Sequence, residues 1–273
     1  MNFIKMEGLG NDFIIIEDYN NKIIENEIEL AKKVCHRRFA IGADGLVIIR
    51  KSNIADAKMI IINSDGSRAN MCGNAIRCFA KYLYEVKHIN KEEIIIETGD
   101  GVKKVKVILH NNYVNLVRVN MGKGSFSGED LLLRDKNTLI DEEIIINNKA
   151  YKLTSLLMGV PHTILINNKG EYSIEDGKII EKYELFTKGT NVNLVKKVDD
   201  NTIEVSTWER GAGATLACGT GCCASVVALN KLGMCSNIVN VITPGGSLVV
   251  EILNEEVYMI GEANFICKGE LLI

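Results

Sequence analysis

Two cysteines in this sequence share nearly the same setting. Cys72 follows the loop-like stretch from Asn63 to Met71, which contains Gly66, and is followed by Gly73, Asn74 and an apolar run. Cys218 follows the stretch from Glu209 to Ala217, which contains Gly211 and Gly213, and is followed by Gly219, Thr220 and a second apolar run. Each cysteine therefore stands where a glycine-containing loop turns into a helix. A thiol there feels the positive end of the helix dipole, which favours the thiolate and is expected to lower its pKa. The glycine after each cysteine lets backbone N–H groups come close to a ligand. The unsatisfied amides of a first helical turn form an anion site suited to a carboxylate. One thiolate that removes the α-proton of an amino acid, and one thiol that returns a proton from the other face, would invert its configuration. That proton is only weakly acidic, so two helix ends and a dry site must stabilise the carbanion.

The other cysteines read differently. Cys78, Cys222 and Cys223 fall inside helical patterns and are expected in the core. Cys35, Cys235 and Cys267 have no neighbouring signal. Cys218 with Cys222 and Cys223 has no paired C-x-x-C and no nearby histidine, so no metal site is read there. Gly211 and Gly213 lack the third glycine of a dinucleotide loop. A thiol redox protein is the alternative from another class and calls for a C-x-x-C or an exposed pair; Cys72 and Cys218 are far apart in sequence and internally duplicated, which favours catalysis instead.

The elements that carry the two cysteines are mostly strands. β-Runs rich in Ile and Val are read at 13–17, 46–49, 58–62, 94–97, 102–109 and 114–120, and again at 163–166, 193–195, 202–207, 239–243 and 247–252. Helices are predicted at 27–38, 74–84, 174–183 and 221–232. Ile76, Phe79, Ala80 and Leu83 share one helical face, whereas 221–232 is apolar nearly all round. The chain also repeats itself. Cys72-Gly73 returns as Cys218-Gly219, Thr98-Gly99 is matched by Pro244-Gly245, and Phe39, Gly42 and Asp44 are matched by Phe186, Gly189 and Asn191 at nearly one spacing. The reading is two similar halves, each a curved sheet around one mostly buried helix, with a small-molecule site in the cleft between them.

Composition bounds the rest. The 273 residues suggest about two domains, with 47% hydrophobic and 25% charged residues as in ordinary globular proteins. A net charge of −3 with mixed signs gives no case for a nucleic-acid or anionic-membrane partner. No run of about 18 apolar residues marks a membrane span. The first 16 residues lack a signal-peptide pattern, so a cytoplasmic protein with reduced thiols is expected.

At these residues the sequence resembles the diaminopimelate epimerase family. The matching segments are Met6–Phe13, Met71–Cys78, Met158–His162, Gly189–Asn193, Glu209–Gly213, Ala217–Gly221 and Pro244–Gly246. Proline racemase-like enzymes share the paired cysteines but usually carry His where this chain has Asn74. The resemblance implies an α/β (α+β) fold of two pseudo-symmetric domains, each a curved, mostly antiparallel sheet or barrel around a central helix. It places them at 1–118 with 264–273 and at 119–263. It implies cofactor-free interconversion of LL- and meso-diaminopimelate, serving lysine and peptidoglycan precursor synthesis, with a homodimer as the assembly it allows. It makes Cys72 and Cys218 the catalytic pair, with the backbone at Gly73, Asn74, Gly219 and Thr220 under the reacting carboxylate. Asn63, Asn191 and Arg210 would hold the far carboxylate, Glu209 would accept from an ammonium, Asn11 would complete the wall, and His162 and Glu209 would tune the thiols. The chain departs from the family at Gly45, Val160 and Ala214, where Gln, Asn and Glu are usual. Those departures keep lanthionine or histidine in view as alternative substrates.

Overall fold

Ile and Val dominate the strand-forming runs because β-branched side chains pack well on a pleated, half-buried surface. In a computed structural model of the chain, every residue except Ile24 and Ile273 is described. The chain forms two compact units, Met1–Asn120 with Ile260–Ile273, and Met121–Met259.

The first unit contains β1 (Asn2–Gly8), β2 (Asn11–Glu17), α1 (Glu27–Val34), β3 (Gly45–Arg50), β4 (Ala57–Asn63), β5 (Arg68–Ala69), α2 (Gly73–Glu85), β6 (Glu93–Thr98) and β7 (Gly101–His110). The chain leaves that unit within β8 (Tyr113–Gly122). The second contains α3 (Gly128–Leu131), β9 (Glu142–Ile146), β10 (Lys149–Met158), β11 (Val160–Ile166), α4 (Asp176–Glu181), β12 (Asn191–Lys197), β13 (Thr202–Glu209), β14 (Gly213–Thr215), α5 (Gly219–Lys231), β15 (Ile238–Thr243) and β16 (Gly246–Leu253). The chain returns within β17 (Glu256–Gly261), and β18 (Asn264–Glu270) pairs antiparallel with β1.

The two units repeat one connection pattern. In the first, β2 lies parallel to β3, β3 antiparallel to β4, β4 parallel to β6, and β6 antiparallel to β7. In the second, β11 lies parallel to β12, β12 antiparallel to β13, β13 parallel to β15, and β15 antiparallel to β16. The long helix enters at the same place each time, after a short strand that doubles back on the preceding one. This is the duplicated, mostly antiparallel α+β architecture expected from the repeat. Each sheet bends round its helix: α2 packs on β1, β2, β4 and β7, and α5 packs on β10, β11, β12, β13 and β16.

The core differs from expectation in one respect. The first two turns of α2, Gly73–Ala80, are buried all round rather than along one face. Burial of Ile76, Phe79 and Leu83 contributes about 1.5–3 kcal/mol each. Helix α1 ends at Val34 instead of Arg38, because the amides of Gly42 and Ala43 take the carbonyls of Val34 and Cys35. Arg37 is thereby freed to reach carboxylates. Helix α4 is likewise shorter than 174–183: Asp176 accepts from the Ser173 amide and closes a turn before the helix starts. No described helix is long and apolar enough to cross a membrane.

Candidate active site

Cys72 is the extended residue (φ −143°, ψ 124°) immediately before α2, with no capping side chain and no acidic residue in the first turn. Its amide neighbours Gly73 and Asn74 open the helix and are buried. The guanidinium of Arg77, fully buried, lies in this same turn. It donates to the carbonyls of Gly73 (3.1 Å) and Glu262 (3.0 Å) and to Oδ1 of Asn74 (3.0 Å). A permanent cation thus reinforces the positive end of the helix.

The sulfur of Cys72 donates to Asn11 Oδ1 at 3.7 Å. The orientation of that amide follows from Asp44, whose Oδ2 accepts from Asn11 Nδ2 at 2.7 Å. A carboxylate only accepts, so the nitrogen must face Asp44 and the oxygen must face Cys72. Arg37 grips Asp44 (2.6 Å) and Asp12 (2.7 Å), and Lys5 adds a second cation at Asp12 (2.9 Å). Burial alone would raise the Asp12 carboxyl, but hydrogen bonds from Arg37 and Lys5 hold it below its ordinary value. Asn63 ends β4, pairs with Gly45, and donates to Ser67 Oγ at 2.9 Å. A Cβ on Gly45 would come within 3.1 Å of the Ile62 carbonyl, so the glycine at this position suits its close packing.

Cys218 is the matching extended residue (φ −116°, ψ 110°) before α5, again with no capping side chain. It is buried, between two partners. Glu209, the last residue of β13, accepts from Thr215 Oγ1 at 2.7 Å and from the Cys218 thiol. Thr220 Oγ1 lies 3.4 Å from the Cys218 sulfur. Burial, and next the negative Glu209, push the Cys218 thiol well above its usual range. The expected lowering by the helix dipole is therefore overturned here: desolvation and an adjacent carboxylate outweigh the helix end. Burial also raises the Glu209 carboxyl, against hydrogen bonds from Thr215 and Cys218.

His162 stands in β11, where Pro161 occupies the second residue of the strand and its missing N–H is tolerated. It is fully buried, with Nε2 3.0 Å from Thr220 Oγ1 and Nδ1 3.1 Å from Asn193 Nδ2. Asn191 begins β12 and is committed at both ends: it donates to the Pro161 carbonyl (3.0 Å) and accepts from the Arg210 amide (2.9 Å). Arg210 itself is exposed. Its Nη1 donates to the Lys188 carbonyl at 2.6 Å. A guanidinium keeps its hydration where no anion replaces it. Glu181 accepts from Trp208 Nε1 (2.8 Å) and from the Gly211 amide (3.1 Å), holding the turn that carries Glu209 and Arg210.

The first unit thus gathers Cys72, Gly73, Asn74 and Asn11. The second gathers Cys218, Gly219, Thr220, Glu209 and His162. The Asn63 side chain is tied to Ser67 Oγ, and that of Asn191 to the Pro161 carbonyl and the Arg210 amide, so that Asn191 holds the arginine turn. Sequence reasoning missed the supports: Arg77, Asp44 with Arg37, Thr215, Thr207 and Asn193. Asp44 carried a signal as the repeat partner of Asn191, and Arg77 and Asn193 fall within the motif segments Met71–Cys78 and Gly189–Asn193 without a role read for them. Cys78, Cys222 and Cys223 are buried in their helices, as expected. Each half offers a sulfur at the mouth of a helix whose leading amides can hold a carboxylate.

The family model described as diaminopimelate epimerase matches residues 3–127 and 154–266. A diaminopimelate epimerase of Clostridium perfringens is 54% identical over 272 residues, covering 100% of both chains. One from Methanococcus maripaludis is 44% identical, covering 99% of each. Among solved structures, a probable proline racemase from Agrobacterium radiobacter aligns with a TM-score of 0.73 at 14% identity, covering 100% of this chain and 93% of that one. A Bacillus anthracis phenazine biosynthesis protein aligns with a TM-score of 0.71 at 13% identity, covering 100% and 99%. At such identities these two show a shared fold and nothing more.

Proposed function

The chain belongs to the diaminopimelate epimerase family, and from that premise we propose that it interconverts LL- and meso-diaminopimelate without a cofactor, in the cytoplasm, for lysine and peptidoglycan precursors. The observation that carries this reading is the pair of cysteines. Each is the extended residue before the one long buried helix of its unit, at the same step of a duplicated frame.

The chemistry needs the two sulfurs on opposite faces of one α-carbon. The substrate carboxylate rests on the leading amides of α2 and α5, at Gly73, Asn74, Gly219 and Thr220, where the helix ends stabilise the carbanion. One thiolate takes the α-proton and becomes a thiol; the other thiol gives its proton to the opposite face and becomes a thiolate. Cys218 hydrogen-bonds to Glu209 and lies beside Thr220. It has an acceptor for its proton and a neighbour able to donate to its sulfur. Cys72 has the Asn11 carbonyl oxygen as its acceptor. Arg210, with Asn63 and Asn191 nearby in their own units, receives the distal carboxylate, for which a guanidinium is the best-matched partner.

The test is incubation of LL-diaminopimelate with the protein in deuterium oxide. Deuterium should enter the α-position of the product as the meso isomer forms. Cys72→Ala and Cys218→Ala should each abolish epimerisation while leaving the far-UV circular dichroism unchanged. Substantial epimerisation by either single variant would sink the two-thiol assignment. Faster racemisation of histidine or lanthionine than of diaminopimelate would overturn the substrate.

A further inference from the structure

Behind Cys218 runs a chain of buried polar groups that the reaction as described does not use. We propose that Asn193 is a positioning residue that locks His162 in its Nε2–H tautomer and thereby aims the Thr220 hydroxyl at the Cys218 sulfur. The inference deepens the proposed function, since it concerns a thiol that function treats as reactive.

The direction of every hydrogen bond follows from the ends of the chain. Asn193 is fully buried in β12. Its Nδ2 lies 3.5 Å from the Thr163 carbonyl, which can only accept, and its Oδ1 receives the Thr207 hydroxyl at 2.9 Å. A flipped amide would set Oδ1 against the Thr163 carbonyl, acceptor against acceptor. So Nδ2 faces His162 and donates to Nδ1 at 3.1 Å. Nδ1 then carries a lone pair, and the ring proton resides on Nε2. Nε2–H donates to Thr220 Oγ1 at 3.0 Å. The hydroxyl of Thr220 has one proton left to place, and the Cys218 sulfur is 3.4 Å away.

Packing supports the same assignment. A Cβ on Gly221 would stand 2.4 Å from Asn193 Oδ1 and 3.3 Å from Thr207 Oγ1. The first turn of α5 is therefore pressed against this amide, which only a glycine allows. Burial, and then the charge of Arg210, take the His162 imidazole down to about 3, so at neutral pH the ring holds a single proton.

The consequence falls on the sulfur. Glu209 from β13 and Cys222 from α5 both face Cys218 and disfavour its charge. A hydroxyl donating to the sulfur opposes them and favours the thiolate. With the other tautomer, Thr220 would donate to Nε2 instead and the sulfur would lose that donor.

The experiment uses the full-length protein labelled with 15N-histidine; the chain has four histidines, and His162→Gln identifies the signal. At neutral pH the His162 Nδ1 should give a pyridine-type resonance and Nε2 a pyrrole-type one. In Asn193→Asp the carboxylate can only accept, so the proton should move to Nδ1. In that variant kcat should fall roughly tenfold or more with KM within about twofold, as expected for a lost hydrogen bond to a charged group. The pH midpoint for iodoacetamide alkylation of Cys218, read by mass spectrometry, should rise by about one unit. Thr220→Val should raise that midpoint similarly, and Thr220→Ser should restore it. This pair reads the sulfur even if Asn193→Asp does not fold. An Nδ1–H tautomer or an imidazolium in the unmodified protein overturns the proposal, as does an Asn193→Asp protein with unchanged tautomer and kcat. A protein with the Nε2–H tautomer that exchanges no α-hydrogen would instead overturn the proposed function and leave the tautomer lock standing.

Discussion

His162 sets an acid limit on stability that can be measured without any substrate. The ring is fully buried, and burial together with the Arg210 charge lowers it to about 3. In the unfolded chain it titrates at about 6.5, the ordinary value for histidine. Between those values the unfolded state binds a proton that the folded state refuses. The contribution is complete above about pH 6.5 and is lost as pH falls towards 3. At pH 4 the gap below 6.5 is about 2.5 units, or roughly 3 kcal/mol. That is a large share of a domain stability of about 5–15 kcal/mol. His162→Gln removes the titrating group and keeps an amide N–H able to reach Thr220. Urea unfolding of both proteins at pH 7 and pH 4 should show the unmodified protein losing about 3 kcal/mol more over that interval. Carboxylates held low, such as Asp12 and Asp176, are common to both proteins and cancel. A difference below about 1 kcal/mol would refute the reasoning, because a ring that charges readily in the folded state is not buried as described.

Alkali acts through other groups. Burial pushes the thiols of Cys35 and Cys78 up to about 12, so their contribution is whole below about pH 9 and lost as pH rises towards 12. With reductant present, each such thiol should steepen the alkaline fall of the unfolding free energy by about 1.4 kcal/mol per pH unit, and Cys78→Ala should remove that much of the slope while Cys35, Cys218 and Cys235 keep theirs. Gly221→Ala should cost about 1–3 kcal/mol in urea unfolding, since its methyl meets Asn193 Oδ1. A neutral result would mean that α5 can shift away. Arg210→Met should lower kcat/KM for diaminopimelate by roughly tenfold or more while leaving thermal stability unchanged, because the side chain is exposed. Undiminished kcat/KM would remove the arginine from the distal carboxylate.

The pairing of Cys72 with Cys218 was legible because its signal is local: a cysteine, a glycine and an apolar helix, written twice. The duplication was legible in the same way, from the spacing of Gly42 and Gly189 and of the two Cys-Gly pairs. The supports were not. Asn193 looks, in sequence, like any polar residue in a strand, and only the parallel pairing of β11 with β12 brings it to His162. Asp44 and Arg37 lie in a stretch read as the end of a helix and a turn. Their meaning depends on α1 stopping at Val34, which the amides of Gly42 and Ala43 decide. The pKa of Cys218 was misread for a related reason. A helix dipole is visible in a sequence, whereas burial and a carboxylate nine residues earlier in the chain act only once β13 folds back.

That misreading exposes a requirement of the chemistry. In the proposed reaction a duplicated half-site supplies two thiols of like type, yet taking a proton from one face and giving another to the opposite face needs one sulfur charged while the other is not. Two identical environments would leave that choice to chance. Here the frame is repeated but the partners are not. Cys72 meets an amide oxygen oriented by Asp44 and Arg37, with a buried arginine in its helix turn. Cys218 meets a carboxylate on one side and a threonine hydroxyl on the other. The Glu209 charge raises the thiol pKa, and the histidine-backed hydroxyl works against it. In the proposed reaction, a substrate carboxylate on the first turn of α5 adds negative charge beside Cys218 and further disfavours its thiolate.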